Sequence, residues 1–328
     1  MNLVRGGSVN EEGGPVPGHD VVDAHHHLWV RSRTPQDWID SVTMAAIDRD
    51  FVPADLPAVA HGVSAAVVVQ SASRWTESAE LLATCALPEG RAARLAGAVV
   101  WADLIAPDLA ERLDALRAGP GGRYLVGVRT MLQAEPDPAY LDRADVRRGV
   151  AAVGAAGLAF DLVLRDHQLP AAARLADALP DVPFVLDHLG KPRLDGRAAA
   201  GPDEDRLTAW RHDVAALAAL PNVTAKLSGL VTEARWDAWT PSDLRPAVDH
   251  ALDVFGPARL MFGSDWPVCL LASDYGRWLE TVRGLLADLA AGERDAVWGA
   301  TARRVYGLPA VATAGAVADT RPPARTRD

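Results

Sequence analysis

Three short stretches of this 328-residue chain carry side chains able to move protons, hold a cation or polarise a carbonyl. The first is Asp23-Ala24-His25-His26-His27-Leu28-Trp29. In extended backbone alternate side chains share a face, so His25 and His27 are expected to point together while His26 points away. Two converging imidazoles make half of a metal site, or a pair of hydrogen-bonding groups. The second is Asp187-His188-Leu189-Gly190-Lys191-Pro192, in which Gly190 and Pro192 turn the chain sharply after His188. The third is Phe262-Gly263-Ser264-Asp265-Trp266-Pro267, whose Asp265 suits ligation of a cation or acceptance of a proton from water. Taken singly, each has a plainer explanation: a chance cluster, a core histidine, or a helix N-cap at Asp265. All three, however, follow apolar runs at the same end.

Those runs are the elements that must position them. Short apolar, β-branched segments recur at 21–24, 65–70, 96–101, 125–129, 159–164, 183–187, 223–227 and 260–263. Between them lie stretches of helical periodicity such as 139–156, 171–179 and 207–220. Continuous apolar strands belong in a parallel sheet buried on both faces. Strand–helix alternation eight times over predicts an α/β fold, a single-domain (β/α)8 TIM barrel. A doubly wound open sheet is the structural alternative, weakened because no glycine-rich loop follows the first strand. The barrel is placed at 19–310, between flexible segments at 1–18 and 311–328, with a polar interruption at 194–205. The long segment 31–50, carrying Trp38, is expected to shape a pocket.

Composition narrows the function classes. Hydrophobic residues at 49% and charged residues at 23% are ordinary for a globular protein. The net charge of −10 gives no basic footprint for nucleic acid, and no apolar run is long enough to span a bilayer. The amino-terminal segment lacks the apolar core of a signal peptide, and Cys85 and Cys269 are too few for a disulfide framework. The expectation is a soluble, cytoplasmic protein without nucleic-acid or membrane partners, its oligomeric state open. Cys269 has no histidine arranged to activate it, and His19, His61, His212 and His250 read as surface residues.

The chain resembles the amidohydrolase superfamily, and within it the sugar-lactone hydrolases (the L-fuconolactonase, L-rhamnonolactonase and pyrone-dicarboxylate lactonase group). The resemblance rests on the three stretches above together with Gly127-Val128-Arg129, Gln168-Leu169-Pro170 and Lys226-Leu227-Ser228-Gly229-Leu230, and it runs from about residue 20 to 308. It implies a barrel enzyme that opens the cyclic ester of a sugar acid, a small-molecule lactone. The metal-dependent pattern of that superfamily adds a lysine on the fourth strand or a histidine on the fifth. Here the fourth run ends in Arg129, the fifth has no histidine, and His167 follows three residues later. That leaves His25, His27 and Asp265 as metal ligands, for one weakly held divalent ion (Zn or Mn) or for none. Three protein ligands plus water suffice for catalytic zinc.

The roles expected from this reading are specific. Asp265 is the general base for water, with burial or a bound ion expected to improve it; His25, His27 and His188 polarise the carbonyl directly or through an ion. Lys191, Lys226 and Arg129 orient the lactone. Only two of the 33 basic side chains are lysines, Lys191 and Lys226, which reads either as coding bias toward arginine or as two positions where a compact ammonium fits and a guanidinium does not. Gln70 is expected to bind sugar hydroxyls, Glu77 to bind them or to cap, and Trp29 and Trp266 to wall the pocket or pack under the loops, while Arg129 has the alternative of pairing structurally with an acid. Whether Asp161 faces the mouth or the floor of the barrel is left open by its strand alternation. The rival functions are a decarboxylase or amide hydrolase of the same family, which would depend strongly on its metal, and a non-catalytic sugar-acid-binding barrel.

Overall fold

A computed structural model describes residues 20–195 and 203–310. The expected flexible segments 1–18 and 311–328, His19, and residues 196–202 of the polar interruption lie outside the described residues. Eight strands form one parallel sheet in sequential order: β1 (Val21–His26), β2 (Val63–Val69), β3 (Leu95–Val100), β4 (Leu125–Thr130), β5 (Ala159–Leu162), β6 (Phe184–Leu186), β7 (Val223–Leu227) and β8 (Leu260–Phe262). The helices between them are α1 (Trp75–Ala86), α2 (Pro88–Ala92), α3 (Leu109–Ala118), α4 (Ala144–Ala155), α5 (Leu169–Ala178), α6 (Asp203–Ala218), α7 (Pro241–Phe255) and α8 (Tyr275–Leu285). The short helices α9 (Ala291–Asp295) and α10 (Thr301–Tyr306) end the described chain, joined by a π-helical turn at Ala296–Ala300. This is the expected single-domain (β/α)8 barrel.

The sheet closes on itself through the segments that carry the chemistry. Asp265 N–H donates to His25 O at 2.7 Å, and His27 N–H donates to Trp266 O at 2.6 Å. Asp23 adds a side-chain link across the same junction, accepting from Ser264 N at 2.8 Å and from Ser264 Oγ at 2.7 Å.

Two apolar layers result. Valines and leucines on the outer strand faces pack against the helices around Leu113, Trp210, Trp278 and Trp298. Inside the barrel Val22, Ala24, Val67, Val99, Val185 and Met261 pack with Tyr306 and Leu308. Above that inner layer the interior turns polar.

The change of face on β1 comes from a register shift. Between Asp23 and His26 the strand advances three residues while β2 advances two, from Ala66 to Val68. A bulge of this kind re-aims side chains. Val22 and Ala24 belong to the inner layer, yet it is His25 and His27, not His26, that join the polar interior. His26 is buried on the other side with neither ring nitrogen hydrogen-bonded, and burial pushes it down to about 3. Indole N–H groups then fasten the loops at the carboxyl end: Trp210 to Leu189 O at 2.7 Å, Trp239 to Ala272 O at 2.6 Å and Trp278 to Gly263 O at 2.9 Å.

Candidate active site

At the carboxyl mouth, ends of β1, β6 and β8 bring four side chains to one point. His25 Nε2 and His27 Nε2 are 3.2 Å apart. Asp265 Oδ1 lies 3.5 Å from His27 Nε2, 3.7 Å from His25 Nε2 and 3.9 Å from His188 Nε2. All four residues are at least 95% buried. The alternation expected of the histidine triplet therefore holds locally. Asp265 is not a helix cap: its side chain faces the imidazoles, and only its backbone carbonyl receives Cys269 N, at 2.9 Å.

The backbone around His188 is unusual. His188, Leu189, Gly190 and Lys191 have φ of 54°, 50°, 71° and 55°, a run of left-handed residues closed by Lys191 N–H to His188 O at 2.9 Å. Left-handed backbone costs a non-glycine residue roughly 1–2 kcal/mol. The surroundings enforce it here, with Leu189 fully buried and its carbonyl held by Trp210. The turn sends His188 inward to Ser228 Oγ, 2.9 Å from its Nδ1, and Lys191 outward to Glu233.

Gly229 forms the wall behind His188. Its φ is +63°, and a Cβ there would lie 2.4 Å from His188 Nδ1 and 3.0 Å from Asp265 Oδ2. Gly229→Ala is expected to lose about 1–3 kcal/mol of stability from the backbone conformation alone, and to lose turnover as well because His188 must move. Denaturant midpoints together with turnover check this; an unchanged variant shows the wall to be pliable.

Beneath the imidazoles lies a buried ion network. Lys226 Nζ contacts Asp161 Oδ2 at 2.6 Å, Asp187 Oδ1 at 3.0 Å and His25 Nδ1 at 3.2 Å. Arg129 bonds Asp187 Oδ2 at 2.8 Å and approaches His25 Nε2 at 3.4 Å, and Tyr306 OH donates to Asp161 at 2.8 Å. Lys226 and Arg129 thus meet carboxylates of the protein, which for Arg129 is the acid-pairing alternative. Both are essentially inaccessible, and the three ammonium hydrogens of Lys226 are matched by three partners below the mouth. Of the three expected orienting cations, Lys191 is the one at the rim, 3.4 Å from Glu233 Oε1. Trp29 and Trp266 are buried, and each packs edge-on against Phe51, at 5.5 and 5.1 Å between centroids, the loop-packing reading. Gln70 is buried, its amide nitrogen 3.4 Å from Arg129 O. Glu77 caps the loop after β2, accepting from Ser71 N and Ala72 N, each at 2.9 Å. His167 is exposed on the loop after β5.

The electrostatics oppose one expectation. Burial alone would raise the Asp265 carboxyl, but His188, His27 and His25 outweigh it and hold the carboxyl below the usual range. It is an ionised acceptor at neutral pH, not a base strengthened by burial. Burial pushes His188 down to about 4 and His25 well below its ordinary value, so both are neutral. Asp161, mainly through burial, is pushed up to about 6. In Asp187 burial acts in the same direction, yet Lys226, His25 and Arg129 keep it well below the usual range.

Asp161, Asp187, Asp23, Ser228 and Tyr306 were not among the expected site residues. Asp187 stood beside His188 in a motif already singled out. Asp161 and Arg129 sit opposite each other in the β4–β5 register, so strand pairing was needed to match them.

Comparison with known proteins follows the same outline. Residues 22–308 match the Amidohydrolase family. The chain is 42% identical over 301 residues to an L-fucono-1,5-lactonase of Burkholderia multivorans, which spans 89% of this chain and 98% of that one. An L-fucono-1,5-lactonase of Burkholderia ambifaria is 38% identical over 265 residues, 79% of this chain and 85% of its own. The crystal structure of an amidohydrolase from Burkholderia multivorans with bound zinc is 39% identical and superposes with a TM-score of 0.81, over 88% of this chain and all of that one.

Proposed function

The chain belongs to the amidohydrolase family, and from that membership we propose that the mouth cluster hydrolyses an aldonolactone, the internal ester of a sugar acid. The observation that carries this is the convergence of His25, His27 and His188 on the ionised Asp265 within 3.9 Å. The high identity to L-fucono-1,5-lactonases over nearly the whole chain supports the substrate class.

Ring opening needs an oriented water, a polarised carbonyl and a proton for the departing ring oxygen. Asp265 accepts a hydrogen bond from water and turns an oxygen lone pair toward the carbonyl carbon. As the carbon–oxygen bond of the ring breaks, the proton taken from water passes to the ring oxygen, and the hydroxy acid leaves. Neutral His188, anchored at Nδ1 by Ser228, holds its Nε2 beside Asp265 and offers it to the carbonyl or the leaving oxygen. Asp265 is a weak base, so its contribution is placement more than proton affinity.

The donor set fits a divalent ion. His27 Nδ1 faces Val69 O at 2.9 Å; a carbonyl only accepts, so Nδ1 carries the hydrogen and Nε2 its lone pair. His25 meets a donor at each ring nitrogen, Lys226 Nζ 3.2 Å from Nδ1 and Arg129 3.4 Å from Nε2, with Asp187 Oδ1 also 3.2 Å from Nδ1. The two Nε2 atoms stand 3.2 Å apart, next to the Asp265 carboxylate. Donors around a tetrahedral zinc stand about 3.3 Å apart, given metal–nitrogen distances near 2.0–2.1 Å. His25, His27 and Asp265 would hold such an ion, which when bound supplies Lewis acidity to the carbonyl and acidifies water. Metal analysis is expected to find one equivalent of zinc or manganese at most. The carboxylate of Asp187 is already divided between Lys226 and Arg129, which leaves no free bridge for a second ion. Two tightly held equivalents would contradict this.

A pH-indicator assay across hexono-, 6-deoxyhexono- and pentono-lactones tests the function, because ring opening releases a proton. Opening of at least one lactone above the spontaneous rate is expected. A negative result across the panel with folded protein overturns the substrate class.

A further inference from the structure

The loops after β5, β6 and β7 enclose a cavity of about 800 Å³ that the chemistry above does not use. Its lining includes Arg165, His167, Lys191, Thr232, Glu233 and Trp236. Two links join it to the mouth cluster, and a third contact sets its own wall. Lys191 closes the left-handed turn that begins at His188. Thr232 Oγ1 donates to Gly229 O at 2.9 Å, and Gly229 is the wall behind His188. Glu233 is set by its backbone, since Leu194 N–H donates to Glu233 O at 3.0 Å and Leu194 bridges Ala234.

We propose that Glu233, Lys191 and Trp236 form the specificity subsite of this enzyme, holding the hydroxylated ring of the lactone while its carbonyl lies at Asp265. This rests on the lactonase reading and adds what part of the substrate is recognised, and by which groups.

Two cations in this cavity face a carboxylate, while Arg165 and Arg235 line it with no ion pair among the described residues. Lys191 and Glu233 lie 3.4 Å apart with both side chains only 18% exposed, and Arg193 lies 3.6 Å from Asp195. A neutral polyol needs donors and acceptors side by side, because each hydroxyl both donates and accepts. The loose Lys191–Glu233 pair offers both within the span of adjacent hydroxyls: Glu233 accepts from one and Lys191 donates to the next. Lys191 suits this better than arginine would, since its three hydrogens point freely and its head is compact.

Trp236 supplies the apolar counterpart. Its indole N–H is committed to Thr232 O at 2.9 Å, which fixes the ring, and the side chain is half-buried along the cavity wall. A sugar ring carries its hydroxyls around the rim and presents C–H groups on its faces, so a fixed indole face covers what the ion pair cannot.

The test compares a 6-deoxyhexono-1,5-lactone with δ-valerolactone, which has the same ring and ester and no hydroxyls. Glu233→Gln is expected to lower kcat/KM on the sugar lactone by about 10–100-fold, the worth of one or two hydrogen bonds to a charged group. Most of that loss should be in KM, and this variant should open δ-valerolactone within about twofold of the wild-type rate. Trp236→Ala, which removes a face both rings would meet, should lower activity on both lactones. Glu233→Gln keeps shape and backbone contacts, so it remains informative if Trp236→Ala disturbs the loop. Equal losses on both lactones in Glu233→Gln, or none on the sugar lactone in either variant, overturn the subsite. If the wild type opens δ-valerolactone but not the sugar lactone, the subsite is overturned and the hydrolase reading survives. If it opens neither, the hydrolase reading fails, and the subsite is judged by calorimetric binding of the sugar acid: weaker binding by the two variants supports it and unchanged binding overturns it.

Discussion

Asp265→Asn should lower kcat by roughly 10²–10⁴-fold while the protein stays folded, the usual loss when a positioned acid–base group is removed. The exchange is unusually clean here. Asp265 has φ of 55°, and asparagine is among the few residues that tolerate left-handed backbone. Its main-chain N–H still reaches His25 O, so the closure of the barrel is untouched. What disappears is the negative charge that three imidazoles face and the acceptor that orients water. Turnover and the thermal midpoint should be measured on one preparation. Near-normal turnover would reduce Asp265 to its backbone role at the barrel seam.

Lys226→Met should cost about 3–5 kcal/mol of stability, the range for breaking a buried ion pair by removing one partner. Methionine fills much of the same space, so lost packing is a minor part of the effect. The main cost is that Asp161 and Asp187 lose the cation between them in a fully buried layer. Chemical denaturation gives the number directly, and turnover should fall with it because Asp187 and Lys226 both touch His25 Nδ1. Lys226→Arg separates charge from shape: it keeps the cation but must seat a planar fork between carboxylates at 2.6 and 3.0 Å, and should be slower than wild type. If both variants match the wild type, the network does not support the site.

The barrel was legible because its strands are continuous apolar runs, which only a sheet covered on both faces requires. His25, His27, His188 and Asp265 were legible because each follows such a run, and strand ends meet at one mouth. The layer below was not. Asp161, Arg129, Asp187 and Lys226 are charged residues at the ends of apolar strands, and their partners come from other strands, so pairing them needs the register. The same limit hid which carboxylates Lys226 and Arg129 meet. The bulge in β1 was invisible as well: strict alternation from Val22 and Ala24 would have sent His26 inward. Nor does the sequence announce four consecutive left-handed residues when only one of them, Gly190, is glycine.

The seam between β1 and the segment after β8 joins the two ends of the barrel in the chain as well as in space. Asp23 and Ser264, which link across it, are 241 residues apart. A ribosome must therefore release the end of β8 before His25 and Asp265 can meet, and a chain cut short anywhere upstream holds the first histidines without their carboxylate. Hydrolytic activity is in this sense a proofreading mark: it certifies that the polypeptide has been made through to its last strand.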